Sequence, residues 1–110
     1  MKKSKVRALL AEMMGWTLTE LTYYDGAGIP LGVCEVNEWK PDKYELQIIK
    51  CLDRWRELGE QFGVFLAADN TWVASSWYTN YSSKSFCKAV AVCLAKSWKQ
   101  IKKENRTDEE

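Results

Sequence analysis

The chain has 110 residues, of which 46% are hydrophobic and 28% are charged, and its formal net charge is +1. These values predict one globular domain with its own core, and they exclude a strong overall field toward nucleic acid or anionic membranes. No apolar run reaches the roughly 20 residues of a membrane span. The segment after the first lysines carries Arg7 and Glu12 and is too polar for a signal peptide. We therefore expect a cytoplasmic protein.

The first part of the chain predicts a helix followed by extended segments. Apolar residues at helical spacing indicate a helix over 4–14, with Ser4 as its cap and Gly15 at its end. Threonines and aromatic residues predict a strand over 16–24. A glycine-rich turn then leads to a weak return strand over 31–35.

The second helix has the clearest sequence signals. It is predicted to start at Pro41 and Asp42, with Glu45 completing a capping box, and to stop at Gly59. One apolar stripe on this helix is expected to face the core, and it consists of Tyr44, Ile48, Cys51, Leu52, Trp55 and Leu58.

The last part of the chain predicts a hairpin and a long helix. Alternating residues indicate antiparallel strands over 61–67 and 71–79. Ser82 or Ser83 is predicted to cap a final helix that ends near Lys103. The buried stripe of this helix consists of Phe86, Ala89, Val90, Cys93, Ser97 or Trp98, and Ile101.

Together these elements predict an α+β fold, a small antiparallel sheet packed with helices in an αβα sandwich-like arrangement. The predicted order is α-β-(β)-α-β-β-α. Residues 1–103 form a single domain in this prediction, and residues 104–110 form a charged, disordered tail.

The chain contains six tryptophans and no histidine, which favours binding over catalysis. Histidine supplies much of the proton transfer and metal ligation near neutral pH, whereas tryptophan supplies buried area and binding anchors. Cys87 lies near a helix N-terminus, which favours a lowered thiol pKa, but it has no histidine as a base. We therefore assign no catalytic residue, no metal ligand and no cofactor.

The cysteines form no CxxC pair and are expected to be reduced, buried thiols: Cys34, Cys51, Cys87 and Cys93. Three carboxylates are interpreted as surface groups: Asp25, Glu35 and Glu38.

Aromatic residues on the second hairpin give the strongest functional signal. Trp72 and Tyr78 share one face of the strand, and Trp77 lies on the other. If helices cover only one face of the sheet, one of the two tryptophans lies on the uncovered face, whichever face that is. Helices on both faces of the sheet would bury both tryptophans. Otherwise one tryptophan forms an exposed patch beside Phe65 or Phe62, as partner sites often do. The predicted partner-binding residues are Trp72, Trp77, Phe65 and Tyr78.

Two alternatives remain open at this point. The first is a nucleic-acid-binding accessory protein, because lysines with nearby aromatic residues are typical of such surfaces. Its candidate residues are Lys84, Lys88, Lys99 and Lys102, which a solvated helix face also explains. The second is a protein that sequesters a nucleotide by stacking the base on tryptophan.

The apolar, turn and cap residues also resemble those of a known family. The opening Leu9-Leu10-Ala11-Glu12-Met13-Met14-Gly15-Trp16 is similar to the start of the phage ABA-sandwich domain, found in small phage and prophage proteins. The similarity covers most of the chain, and its further segments are Trp39-Lys40-Pro41-Asp42, Leu58-Gly59, Phe62–Leu66, Trp72-Val73-Ala74 and the alanine-rich stretch 89–95.

This resemblance implies an origin in a phage or prophage and carries no catalytic motif. The expected function is a non-enzymatic protein that binds a host bacterial protein or complex in the host cytoplasm. The most specific form of this expectation is steric inhibition of a bacterial defence system, for example a CRISPR effector. A homodimer is left open, and no membrane association is expected.

Overall fold

Three helices and six strands occur in the residues that the computed structural model describes, 1–19, 22–25, 27–35 and 38–108. The helices are α1 (Lys3–Met13), α2 (Glu45–Glu57) and α3 (Phe86–Asp108). The strands are β1 (Thr17–Thr19), β2 (Thr22–Tyr24), β3 (Pro30–Glu35), β4 (Phe62–Leu66), β5 (Trp72–Ser76) and β6 (Asn80–Ser83). They pair into two three-stranded antiparallel sheets, β1-β2-β3 and β4-β5-β6. The predicted α+β class is confirmed. No helix in the described ranges is long and apolar enough to cross a bilayer.

Helix α1 is fixed to the segment before α2 through Arg7. The buried Trp39 indole donates a hydrogen bond from Nε1 to the Arg7 carbonyl oxygen at 2.9 Å. The Arg7 guanidinium in turn makes two bonds to the Asp42 carboxylate, at 2.7 and 3.1 Å. Asp42 therefore pairs with α1 and does not cap α2, so the predicted capping box with Glu45 is wrong. Ser4 is also not a cap, because α1 begins at Lys3 without a side-chain cap.

Helix α2 buries a narrower stripe than its sequence predicts. Ile48, Cys51 and Trp55 are buried, and Leu52 packs against the core. Tyr44 and Leu58 are exposed because they lie at the two ends of the helix, beyond the packing contact. The predicted stops at two glycines are confirmed, since Gly15 and Gly59 both have a φ of +80°.

Helix α3 forms the centre of the fold. All residues from Ala89 to Ala95 are buried, because α3 contacts α1 and α2 as well as strands β5 and β6. Ser85 caps its first turn by accepting a hydrogen bond from the Lys88 amide at 3.2 Å, where the sequence predicts Ser82 or Ser83. The backbone of α3 is helical to Asp108, whereas the sequence predicts a disordered tail over 104–110. The lysines and glutamate around 102–104 favour helix, and extending an existing helix needs no new nucleus.

Two segments predicted as single strands each contain a reversal. Within the described residues of the segment 16–24, β1 pairs antiparallel with β2, with Leu18 opposite Tyr23. The segment 71–79 ends as a strand at Ser76, and the chain then turns into β6, which pairs with β5. The predicted hairpin of β4 and β5 is confirmed, with Val64 opposite Ala74.

Candidate protein-binding surface

The β4-β5-β6 sheet has one covered and one open face. Its inner face packs against the core around α3 through Phe62, Val64, Trp72, Ala74 and Tyr81. Its outer face carries only uncharged residues: Gly63, Phe65, Val73, Ser75, Asn80 and Ser82. Phe65 is 57% exposed, and Trp77, next in the same alternation after Ser75, is 74% exposed. The alternative in which helices bury both faces is therefore wrong.

The structure separates the four predicted partner-binding residues into two pairs. Phe65 and Trp77 lie on the open side. Trp72 instead packs edge-on against Phe86, with ring centroids 5.1 Å apart, and Tyr78 is half-buried against the core. Burial, followed by the negative charge of Glu60, raises the pKa of Tyr78. Trp72 and Tyr78 thus support the surface from beneath and do not present their rings to a partner.

The turn that carries Trp77 is held by hydrogen bonds of Ser76. The Ser76 hydroxyl accepts bonds from the backbone amides of Tyr78 and Thr79 at 3.1 and 3.3 Å. The backbone amide of Ser76 donates to the Thr79 carbonyl oxygen at 2.9 Å, which closes the turn. The chain on either side of Trp77 is therefore fixed although its indole is exposed.

Helix α3 anchors this turn from below. Ser97 is fully buried, and its Oγ lies 2.6 Å from the Ser76 Oγ. Because the Ser97 hydroxyl donates to the Cys93 carbonyl oxygen at 2.7 Å, it accepts the bond from Ser76. The Cys93 thiol also lies 3.6 Å from the Thr79 carbonyl oxygen. The position of Ser97 within the apolar stripe was the one sequence signal for this network, since a buried hydroxyl requires a partner.

Two open grooves flank strand β4. The outer groove, of about 400 Å³, lies over Gly63 and is bordered by Trp77 and Gln61. The inner groove, of about 510 Å³, lies between β4 and α2, where it is lined by Phe62, Val64 and Leu52. Both grooves are open clefts on the surface, so they suit side chains of a second polypeptide more than an enclosed small molecule.

None of the four candidate nucleic-acid lysines lies within a strand of the open sheet. Lys84, Lys88 and Lys99 are exposed, whereas Lys102 forms an ion pair with Glu12 of α1 at 2.6 Å. Lys88 lies at the rim of a small cleft with Lys3, Tyr81 and Asp42, whose carboxylate is paired with Arg7.

The described cysteines lack the environment of a nucleophile. Burial raises the pKa of Cys51 to about 12, and it also raises the pKa of Cys93. The pKa of Cys87 is raised by burial and by the charges of Glu45 and Asp42, so the lowering expected from the helix N-terminus is wrong. Within the described side chains, these three cysteines are free thiols. Cys34 lies outside them.

Two of the three candidate carboxylates, Asp25 and Glu38, lie among the described side chains. The Asp25 carboxylate accepts hydrogen bonds from the amides of Ala27 and Ile29, both at 2.9 Å, and so closes the turn between β2 and β3. Glu38 is exposed, and the side chain of Glu35 lies outside the described residues. No group of three potential metal ligands occurs among the described residues.

No protein-family model, curated protein or solved structure matches this chain. The similarity to the phage ABA-sandwich domain therefore stays a prediction.

Proposed function

We propose that this protein is a non-enzymatic binding protein whose main anchor is Trp77 on the open face of the β4-β5-β6 sheet. The observation that carries the proposal is a 74% exposed tryptophan on a turn that partly buried hydrogen bonds hold in place. Tryptophan is enriched among the residues that dominate binding energy at interfaces. An anchor already held in position loses little conformational freedom on binding.

The composition of the open face favours a protein partner over nucleic acid. The strand residues that share this face with Phe65 are small polar or apolar residues, and none of them is charged. Depletion of charge around an aromatic centre is typical of protein interfaces, whereas phosphate binding requires a basic surface.

The biological setting is proposed from the sequence resemblance. A phage or prophage protein of this kind would bind a host bacterial protein or complex in the host cytoplasm and inhibit it sterically. In its most specific form, the proposed target of this inhibition is a bacterial defence system, such as a CRISPR effector. The absence of an activated nucleophile among the described cysteines supports an action by contact.

The test is capture of partners from a bacterial lysate, followed by affinity measurement with the purified partner. Trp77→Ala should abolish binding without unfolding the chain. Leu46→Ala is the matched control, because Leu46 is an apolar residue on α2 that is 78% exposed. Loss of binding with Leu46→Ala and retention with Trp77→Ala would refute the proposed surface.

Binding to a nucleic-acid duplex that falls steeply as salt rises would instead support the lysine alternative. Nucleotide retained through purification would support sequestration.

A further inference from the structure

We propose that two copies of this chain pair through the edge strand β4 and form one continuous six-stranded sheet. Among the described residues β4 pairs only with β5, so the backbone amides and carbonyls along its other edge have no partner strand there. Exposed edges usually carry a charge, a proline or a bulge that prevents such pairing. β4 has the sequence Phe62-Gly63-Val64-Phe65-Leu66, with none of these features and an unbroken register against β5.

The opposite edge of the same sheet provides the contrast. β6 is short and polar, with the sequence Asn80-Tyr81-Ser82-Ser83, and the exposed Lys84 follows it directly. These are features that protect an edge from pairing. The sheet is thus protected on one side and open on the other, which assigns pairing to β4.

The grooves on either side of β4 indicate how a second strand would lie. A strand added to a sheet edge sends alternate side chains to opposite faces, so it needs space on both. The outer groove over Gly63 and the inner groove against α2 supply that space.

The sequence of β4 is complementary to itself in one antiparallel register. With Val64 of each copy on the two-fold axis, Phe65 of the second copy lies opposite Gly63, and Leu66 of the second copy lies opposite Phe62. Phe65 would then enter the outer groove, and Leu66 would enter the inner groove. These two side chains are 57% and 51% exposed in the single chain, and pairing would cover both in each copy.

The pairing of Phe65 with Gly63 has a specific physical basis. A Cβ built at Gly63 would meet no atom within 4 Å, so the surface above this glycine is open. An aromatic ring from the neighbouring strand can cover a glycine at an edge and shield its backbone. Trp77 borders the same groove and would contact the ring at its side.

Two paired strands of five residues each form a small contact, and small interfaces are typical of weak, transient association. We therefore expect a reversible dimer.

This inference goes beyond the proposed function, because it concerns the chain alone. Sedimentation of the purified protein over a range of concentrations should show the mass doubling as concentration rises. Gly63→Val should abolish the dimer, since it fills the outer groove, while the free space around Gly63 leaves the single chain folded. Phe65→Lys should abolish it by placing a charge at the contact.

Ser82→Lys is the control, because it adds the same charge to the same outer face at the far strand. It should leave the dimer intact. A chain that stays monomeric at all concentrations would overturn the inference, as would a dimer that survives Gly63→Val. Host binding is measured at concentrations where the chain is a monomer, because the dimer covers Phe65. No host binding by the monomer refutes only the proposed function, and a chain that binds a host protein through Trp77 but never dimerises refutes only the dimer.

Discussion

Replacing Ser97 by alanine should weaken the fold and loosen the turn that presents Trp77. The change removes the hydrogen bonds that Ser97 makes to Ser76 at 2.6 Å and to the Cys93 carbonyl at 2.7 Å. Each bond contributes about 0.5–1.5 kcal/mol. Alanine gains about 0.5 kcal/mol in helix propensity. The Ser76 hydroxyl retains a long contact of 3.4 Å to the Thr79 carbonyl oxygen. The expected loss in unfolding free energy is therefore about 1 kcal/mol.

Ser76→Ala should cost more, because it also leaves the Tyr78 and Thr79 amides without their acceptor. We expect about 2 kcal/mol for this single change. The double variant should be nearly as stable as Ser76→Ala, since much of the contribution of Ser97 depends on Ser76. The coupling between the two serines would then be about 0.5–1 kcal/mol, which a double-mutant cycle detects.

Urea unfolding followed by far-ultraviolet circular dichroism provides these free energies. A loss of about 1 kcal/mol corresponds to a fall in melting temperature of roughly 4–8 °C. Partner affinity should fall in both single variants, because Trp77 must then be ordered on binding. Additive destabilisation in the double variant, or unchanged affinity in both single variants, would refute the role assigned to this network.

Three further predictions concern the core, an ion pair and a thiol. Trp55→Ala should lower the unfolding free energy by about 3–5 kcal/mol, because Trp55 is 1% exposed. Trp77→Ala should change it by less than about 0.5 kcal/mol, because Trp77 is exposed. Equal losses for the two variants in urea unfolding would contradict the burial described. Burial alone raises the pKa of Asp42, but the hydrogen bond and charge of Arg7 outweigh it and hold that pKa below 3.8. The Arg7–Asp42 pair should therefore stabilise the fold above about pH 4, and this stabilisation should be lost as pH falls through the lowered pKa of Asp42. The difference in unfolding free energy between wild type and Asp42→Asn should accordingly shrink on acidification. Cys51 should react with a thiol reagent at pH 8 only after denaturation, because its pKa is raised to about 12; rapid labelling of the folded chain at this residue would contradict that environment.

Local patterns in the sequence were sufficient where neighbouring residues decide the structure. Apolar spacing predicted α1, α2 and α3, and Gly15 and Gly59 marked the positive φ values at two helix ends. Alternation predicted the hairpin of β4 and β5 and placed Trp72 and Trp77 on opposite faces. These features depend on contacts within a few residues along the chain.

Tertiary contacts decided the features that local patterns could not. Asp42 fits a capping box locally, yet Arg7 from a distant helix makes a stronger, charged pair with it. The burial of Trp72 and the exposure of Trp77 depend on α3 covering one face of the sheet and leaving the other uncovered, which period-two alternation cannot determine. Residue patterns along the chain therefore indicated which elements form and which side chains share a face. Only the packing of distant elements decided which face remained open, because burial depends on what lies opposite.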